Sequence, residues 1–250
     1  MNIKDIKYKI NILFNINKLT NTMSMISFSK MKKSKKNFLL LNDLYLETKY
    51  IILQIYNYKK NNYFCCILIT TNKGFCSNIN HESIKFLLNF IKDNKKIDII
   101  IIGKKSIDFF NKKNIVIKKK ILFNEKEDIF FDKNILNVLK MYNNVFFISN
   151  KIINNNIKTI KTNLFFKKKK NFFEKKNINL DLLIDNYINY TLKYLYSENY
   201  FCELKSRMIT MKLASDNSKK IIKDMSLLKN KFRQFKVTQE MLEIINGNIL

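Results

Sequence analysis

Two stretches of this chain contain nothing that would stop a helix. Proline is absent from all 250 residues, and the three glycines are Gly74, Gly103 and Gly247. Residues 1–57 and 181–246 therefore lack both strong breakers. Because glycine is scarce throughout, periodicity has to decide. In the first stretch Ile6, Ile10, Leu13, Ile16, Leu19, Met23 and Ile26 step by three and four. In the last, Leu204, Met208, Met211, Ser215, Ser218, Ile222, Met225, Leu228, Phe232 and Phe235 do the same. A narrow stripe of that period is the seam of a long helix packed on another helix. Gly247 falls where a C-terminal cap belongs. At 1.5 Å per residue the first stretch reaches about 80 Å and the last about 100 Å, far beyond ordinary globular helices. Two such helices at opposite ends predict an antiparallel coiled coil; the alternative is a bundle of shorter helices.

The middle has a different rhythm. Tyr63–Thr70, Ile97–Ile102, Ile115–Ile121 and Val145–Asn150 read as strands, with Ile157–Leu164 a further candidate. His81–Lys92, Lys104–Asn111 and Asp128–Tyr142 read as helices between them. Alternation of this kind predicts parallel βαβ units. The lysine run Lys167–Lys170, continuing to Lys176, reads as a solvated linker. The expected organisation is a helix over 1–57, a Rossmann-like α/β domain over 58–166, a linker over 167–180 and a helix over 181–250.

The net charge of +27 first suggests nucleic acid or an anionic surface. The excess is lysine, however: the arginines are Arg207 and Arg233, and alanine occurs once, at Ala214. Ile, Asn, Lys, Phe and Tyr fill the chain, and all five use A/T-rich codons. Much of the charge thus reads as the mutational signature of an A+T-rich genome, as in a reduced endosymbiont. Arginine, whose planar fork suits base edges, is nearly missing. Apolar runs such as Phe64–Ile69 and Ile99–Ile102 are too short to span a bilayer. Cys65, Cys66, Cys76 and Cys202 form no CxxC pair and read as buried or free thiols.

Catalytic signals are lacking. The first strand leads into Thr71-Asn72-Lys73-Gly74-Phe75-Cys76-Ser77, which has one glycine and no GxGxxG or GxxxxGK[ST] phosphate loop. His81, the lone histidine, lies at an expected helix start and reads as a surface or capping residue. Glu125, Glu127 and Asp128 precede an expected helix, where they favour its dipole. No cofactor or metal is expected.

Read as words, the two ends carry a resemblance. Lys18-Leu19-Thr20-Asn21-Thr22-Met23-Ser24-Met25-Ile26-Ser27-Phe28-Ser29-Lys30-Met31 resembles K-I-T-x-A-M-x-M-V-A-x-S-K-M of the gamma subunits of F-type ATP synthases. Leu44 to Thr48 echoes P-Y-x-E-T. Thr70 to Asn80 resembles S-D-R-G-L-C-G-x-x-N, Ile102-Gly103-Lys104-Lys105 resembles I-G-x-K, and Ser149 to Asn154 resembles the stretch around N-K-F-x-N. From Glu203 through Arg207-Met208 to Asp216-Asn217, then Asn230 to Gln234, Val237 to Glu240 and Glu243 to Gly247, the last helix follows the gamma pattern E-x-x-x-R-M-x-A-M-x-x-A-T-D-N, N-K-x-R-Q, I-T-Q-E, E-I-x-x-G. The chain departs from it at Ser77, in place of the second loop glycine, and at Thr22, in place of a small alanine.

The resemblance implies a noncatalytic rotor shaft whose terminal helices form a bent antiparallel coiled coil beside an α/β foot. It implies alpha and beta subunits, epsilon and the c-ring as partners, no nucleic acid, and a peripheral place at the cytoplasmic face of the inner membrane. It implies contact with the alpha/beta ring at Met23, Arg233, Gln234, Thr238, Gln239 and Glu240, and an apolar bearing around Met241, Leu242, Ile244 and Ile245. Two other classes remain beside it: a lysine-rich coiled-coil adaptor for nucleic acid, and a nucleotide-dependent enzyme.

Overall fold

The computed structural model describes residues 3–55, 64–93, 97–123, 131, 133–142, 144–165 and 179–247. Helix α1 runs Ile3–Ile55 and helix α5 runs Leu180–Gly247. Between them lie β1 (Phe64–Ile69), α2 (Ile79–Asp93), β2 (Ile97–Ile102), α3 (Lys104–Lys112), β3 (Lys119–Ile121), α4 (Lys133–Lys140), β4 (Asn144–Ile153) and β5 (Asn156–Asn163). The chain divides into two units: Met1–Phe28 with Arg207–Leu250, and Ser29–Ser206.

The second unit holds a five-stranded sheet in the order β3-β2-β1-β4-β5. β1 pairs in parallel with β2 and β4, and β2 with β3. β1 is central and buried on both faces, so it reads as a continuous apolar run, Phe64-Cys65-Cys66-Ile67-Leu68-Ile69. Successive side chains alternate between two cores. Cys65, Ile67 and Ile69 join Tyr45 and Ile52 of α1, Ile135 and Leu139 of α4, and Tyr187, Ile188 and Leu192 of α5. Cys66 and Leu68 join Ile84 and Leu87 of α2 and Ile107 and Phe110 of α3. Within this unit α1 and α5 run antiparallel: Phe38 stacks on Tyr194 and Phe201, and Tyr45 on Tyr187 and Tyr194. Burial pushes the Cys65 and Cys202 thiols up to about 12, so both remain protonated at neutral pH.

The structure departs from the sequence expectation at two strands of this unit. The strand expected over Ile115–Ile121 is reduced to Lys119–Ile121, which pairs only with the end of β2. β5 runs antiparallel to β4, because only Asn154 and Asn155, both at positive φ, separate Ile153 from Asn156. A two-residue turn cannot make a parallel crossover. Of the helix expected over Asp128–Tyr142, α4 is the helical part described; residues 128–130 and 132, and 167–178 of the linker expected over 167–180, lie outside the described residues.

Gly103 ends β2 at φ 113°, and a Cβ there would lie 2.3 Å from the Thr70 carbonyl oxygen. The β1–α2 loop poses the opposite case. Phe75 and Ser77 sit in the left-handed region, at φ 61° and 54°, where a side chain is strained and glycine is not. Ser77→Gly relieves about 1–2 kcal/mol of backbone strain and is therefore expected to stabilise the chain by about 0.5–1 kcal/mol net of the added unfolded-state entropy. A urea titration followed by circular dichroism checks this, and a lower midpoint would contradict it.

Candidate functional site

The first unit is the helix pair itself. Asn17 Nδ2 of α1 donates to the Ser215 carbonyl (2.6 Å) and reaches the Ser215 and Ser218 hydroxyls at 3.1 and 2.8 Å. Ser24 Oγ donates to the Met208 carbonyl at 3.1 Å. As α1 numbers rise, α5 numbers fall, so the helices are antiparallel. Seventeen pairs with 215 and 24 with 208, and the same register sets Ile3 level with about Lys229.

The seam differs from the one hydropathy selects. Ile6, Ile10 and Leu13 do face α5, but the inward stripe continues through Asn17, Thr20, Ser24 and Ser27. Ile16, Leu19, Met23 and Ile26 are exposed, Leu19 by 63% and Ile26 by 56%. The segment carries two parallel stripes of the same period, one residue apart, which corrects the expected stripe. Small side chains bring the backbones close enough for Ser24 and Asn17 to reach carbonyls of the partner helix, and those bonds need the polar stripe inside. The apolar stripe is left facing outward.

On the flank of the seam opposite the Leu19/Met23/Ile26 stripe the structure forms a groove of about 420 Å³, walled by Met25, Phe28, Met208, Ile209 and Leu213 with Lys212 at its edge. Sequence reasoning missed it. The available signal was the off-seam pairs Met25/Phe28 and Ile209/Leu213, at spacings that share a helix face.

Farther along α5 the packing ends. Every described residue from Asn230 to Gly247 is exposed, in agreement with the register that stops α1 level with about Lys229. The overhang is about 27 Å at 1.5 Å per residue. It carries Arg233, Gln234, Thr238, Gln239 and Glu240, whose recorded bonds are local to the helix: Thr238 Oγ1 to the Gln234 carbonyl, Gln239 to Glu243, and Lys236 to Glu240. Met241, Leu242, Ile244 and Ile245 are exposed there too. The structure thus gathers five of the six expected contact residues on two turns. It leaves Met23, level with about Ile209, roughly 36 Å back along the axis. These are two patches, one apolar and mid-shaft, one mixed and terminal.

In the α/β unit, the end of β1 is closed by its own side chains. Asn80 Oδ1 accepts from the Thr71 amide and Asn80 Nδ2 donates to Thr71 Oγ1, while Asn72 Oδ1 accepts from the Lys104 amide at the start of α3. His81 is exposed on α2. Among the described residues no helix is long and apolar enough to cross a membrane.

A family model described as ATP synthase matches residues 2–248. The ATP synthase gamma chain of Buchnera aphidicola subsp. Schlechtendalia chinensis is 33% identical, over 98% of this chain and 96% of its own length. That of Blochmanniella floridana is 30% identical, over 98% of each. Among solved structures, a chain of the Euglena gracilis mitochondrial ATP synthase OSCP/F1/c-ring assembly superposes with a TM-score of 0.75, at 17% identity, over 98% of this chain and 93% of that one. A chain of the rotor of the same synthase gives 0.71 at 15% identity, over 94% and 98%.

Proposed function

The chain belongs to the ATP synthase gamma chain family, and on that premise we propose that it is the central rotor shaft of an F-type ATP synthase, a subunit that couples ion flow to ATP synthesis without catalysing it. The observation that carries the reading is the helix pair: an outward apolar stripe at mid-shaft and an α5 tip with no intramolecular seam. Both are surfaces that a surrounding ring would cover. Residues 1–57 and 181–250 supply the shaft, 58–166 the α/β domain and 167–180 the linker. The partners are alpha and beta subunits, epsilon and the c-ring, and the chain sits peripherally at the cytoplasmic face of the inner membrane.

The task is to break symmetry. Three identical catalytic sites differ only if something asymmetric touches them, and a rod acts by making contacts that differ among their conformations. Met23, Arg233, Gln234, Thr238, Gln239 and Glu240 make those contacts, and Met241, Leu242, Ile244 and Ile245 run in an apolar bearing.

The test is co-expression with alpha and beta subunits of the same organism. A complex with one copy of this chain per three alpha/beta pairs, and ATPase activity that depends on it, is the expected result. Leu19→Gln with Ile26→Gln should leave the free chain's melting temperature unchanged, because neither side chain is in the seam, yet weaken coupled turnover several-fold. If alpha and beta ignore the chain, and it instead co-purifies with nucleic acid in a salt-sensitive manner, the shaft reading fails.

A further inference from the structure

Asn150 sits where four elements of the α/β unit meet, and it is completely buried. Its side-chain oxygen accepts from Thr159 Oγ1 of β5 at 3.0 Å and lies 3.2 Å from Ser83 Oγ of α2. Its Nδ2 donates to Asn199 Oδ1 of α5 at 3.0 Å. Its backbone amide donates to the same oxygen at 3.2 Å, and its carbonyl accepts from Cys202 Sγ at 3.3 Å. The next residue extends the contact: Lys151 Nζ lies 3.3 Å from Tyr194 Oη and 3.6 Å from Glu198 Oε1. Tyr194, Glu198, Asn199 and Cys202 lie on one face of two turns of α5. Two consecutive residues of β4 therefore grip α5 at four points.

Apolar contact surrounds this grip, with Tyr187, Ile188, Leu192 and Leu195 of α5 in the same core as Val145 and Phe147 of β4. Apolar contact resists separation but is non-directional, so it resists sliding and rotation poorly. Hydrogen bonds fix both distance and angle. A sheet that must turn with a helix, or turn it, needs the second kind of contact.

We propose that Asn150 is the positioning residue that fastens the sheet of the α/β domain to helix α5, so that torque passes between them without slip. The proposal rests on the shaft reading and adds to it the place where the domain is locked to the axle. Asn199 is the matching residue on α5. Thr159 and Ser83 hold the Asn150 amide in the one orientation that presents its Nδ2 to Asn199, and so tie β5 and α2 into the same joint.

The experiment uses the whole enzyme, with this chain and its organism's other subunits, in proteoliposomes. ATP hydrolysis and ATP-driven proton uptake are measured together for the wild type, Asn150→Leu, Asn199→Leu and the double variant. The milder Thr159→Val serves if a single leucine variant does not fold. Each single variant is expected to hydrolyse ATP within about twofold of wild type while the protons moved per ATP fall at least threefold. The double variant replaces both polar partners by apolar groups and is expected to recover thermal stability with the proton ratio still low. A merely structural joint would lower hydrolysis and pumping in parallel, or restore both with stability, and either result overturns the proposal. A wild-type chain that never assembles with the other subunits overturns the shaft reading itself, and the fastening role with it. Assembly with normal pumping by the variants overturns the fastening role alone.

Discussion

Gly103→Ala should cost the chain about 2–6 kcal/mol. Two independent penalties add. The backbone at φ 113° is one that L side chains rarely adopt, and such strain costs about 1–3 kcal/mol. The new Cβ would also fall 2.3 Å from the Thr70 oxygen and 2.8 Å from its hydroxyl, and overpacking of this kind costs about 1–3 kcal/mol more. Thr70 cannot retreat easily. Its amide donates to the Ile102 carbonyl at 2.8 Å and its hydroxyl lies 2.6 Å from Ser106 Oγ. Moving it would open β1 from β2 at the centre of the sheet. Gly74→Ala is the internal control: its added Cβ meets only the flexible end of Lys105, at 3.7 Å, and should change stability by less than about 0.5 kcal/mol. Thermal unfolding of the two variants should therefore separate by roughly 10 °C. Equal melting temperatures would show that the β1–β2 junction is looser than its geometry states.

The glycine was visible in the sequence, but its necessity was not. Ile102-Gly103 reads as a strand ending at a breaker; that Thr70 approaches from the neighbouring strand is a fact of register, which a linear pattern does not contain. The same division runs through the chain. The long helices followed from missing breakers and a 3.5-residue period, because those are local properties. β1, β2 and β4 followed from apolar runs too short for buried helices. The reversal of β5 depended on Asn154 and Asn155 adopting positive φ, which asparagine tolerates but does not announce.

The most instructive failure lies in α1. Ile16, Leu19, Met23 and Ile26 form the better apolar stripe, and they face outward. Hydrophobic periodicity finds a surface that avoids water, but it does not say which partner supplies the cover. From Leu13 toward the N-terminus the cover is α5, and the stripe is read correctly. From Asn17 to Ser27 the inner seam is held by hydrogen bonds from Asn17 and Ser24 to α5 carbonyls, and the greasy stripe is free for another molecule. A chain whose best apolar face is turned away from its own core is built to be covered in an assembly. The contact role proposed for the tip rests on family resemblance, since Arg233, Gln234 and Thr238 to Glu240 have no pattern beyond solvated polarity.

The second large effect is expected at that tip. Ending the chain after Lys231 removes most of the stretch that α1 does not accompany. The removed residues are exposed over their described length, with Phe232, at 37% exposure, the one that keeps substantial cover, so unfolding of the truncated protein should match the full chain within about 1 kcal/mol. Its solubility should improve, because Phe235, Met241, Leu242, Ile244 and Ile245 no longer offer an apolar surface to other copies. In the complex with alpha and beta the same deletion takes away Arg233, Gln234, Thr238, Gln239 and Glu240 together with the bearing. Turnover is then expected to fall about tenfold, equivalent to about 1.4 kcal/mol of lost bias between catalytic conformations. It should not vanish, since the mid-shaft patch around Met23 lies roughly 36 Å away along the axis and still distinguishes one site from the next. Adding Leu19→Gln and Ile26→Gln to the truncation removes that second patch and should abolish rotation-dependent turnover while α1 and α5 remain paired. Full activity in the truncated complex would mean that the overhang touches nothing that matters. Loss of stability in the free truncated chain would mean that the tip folds back on a seam of its own.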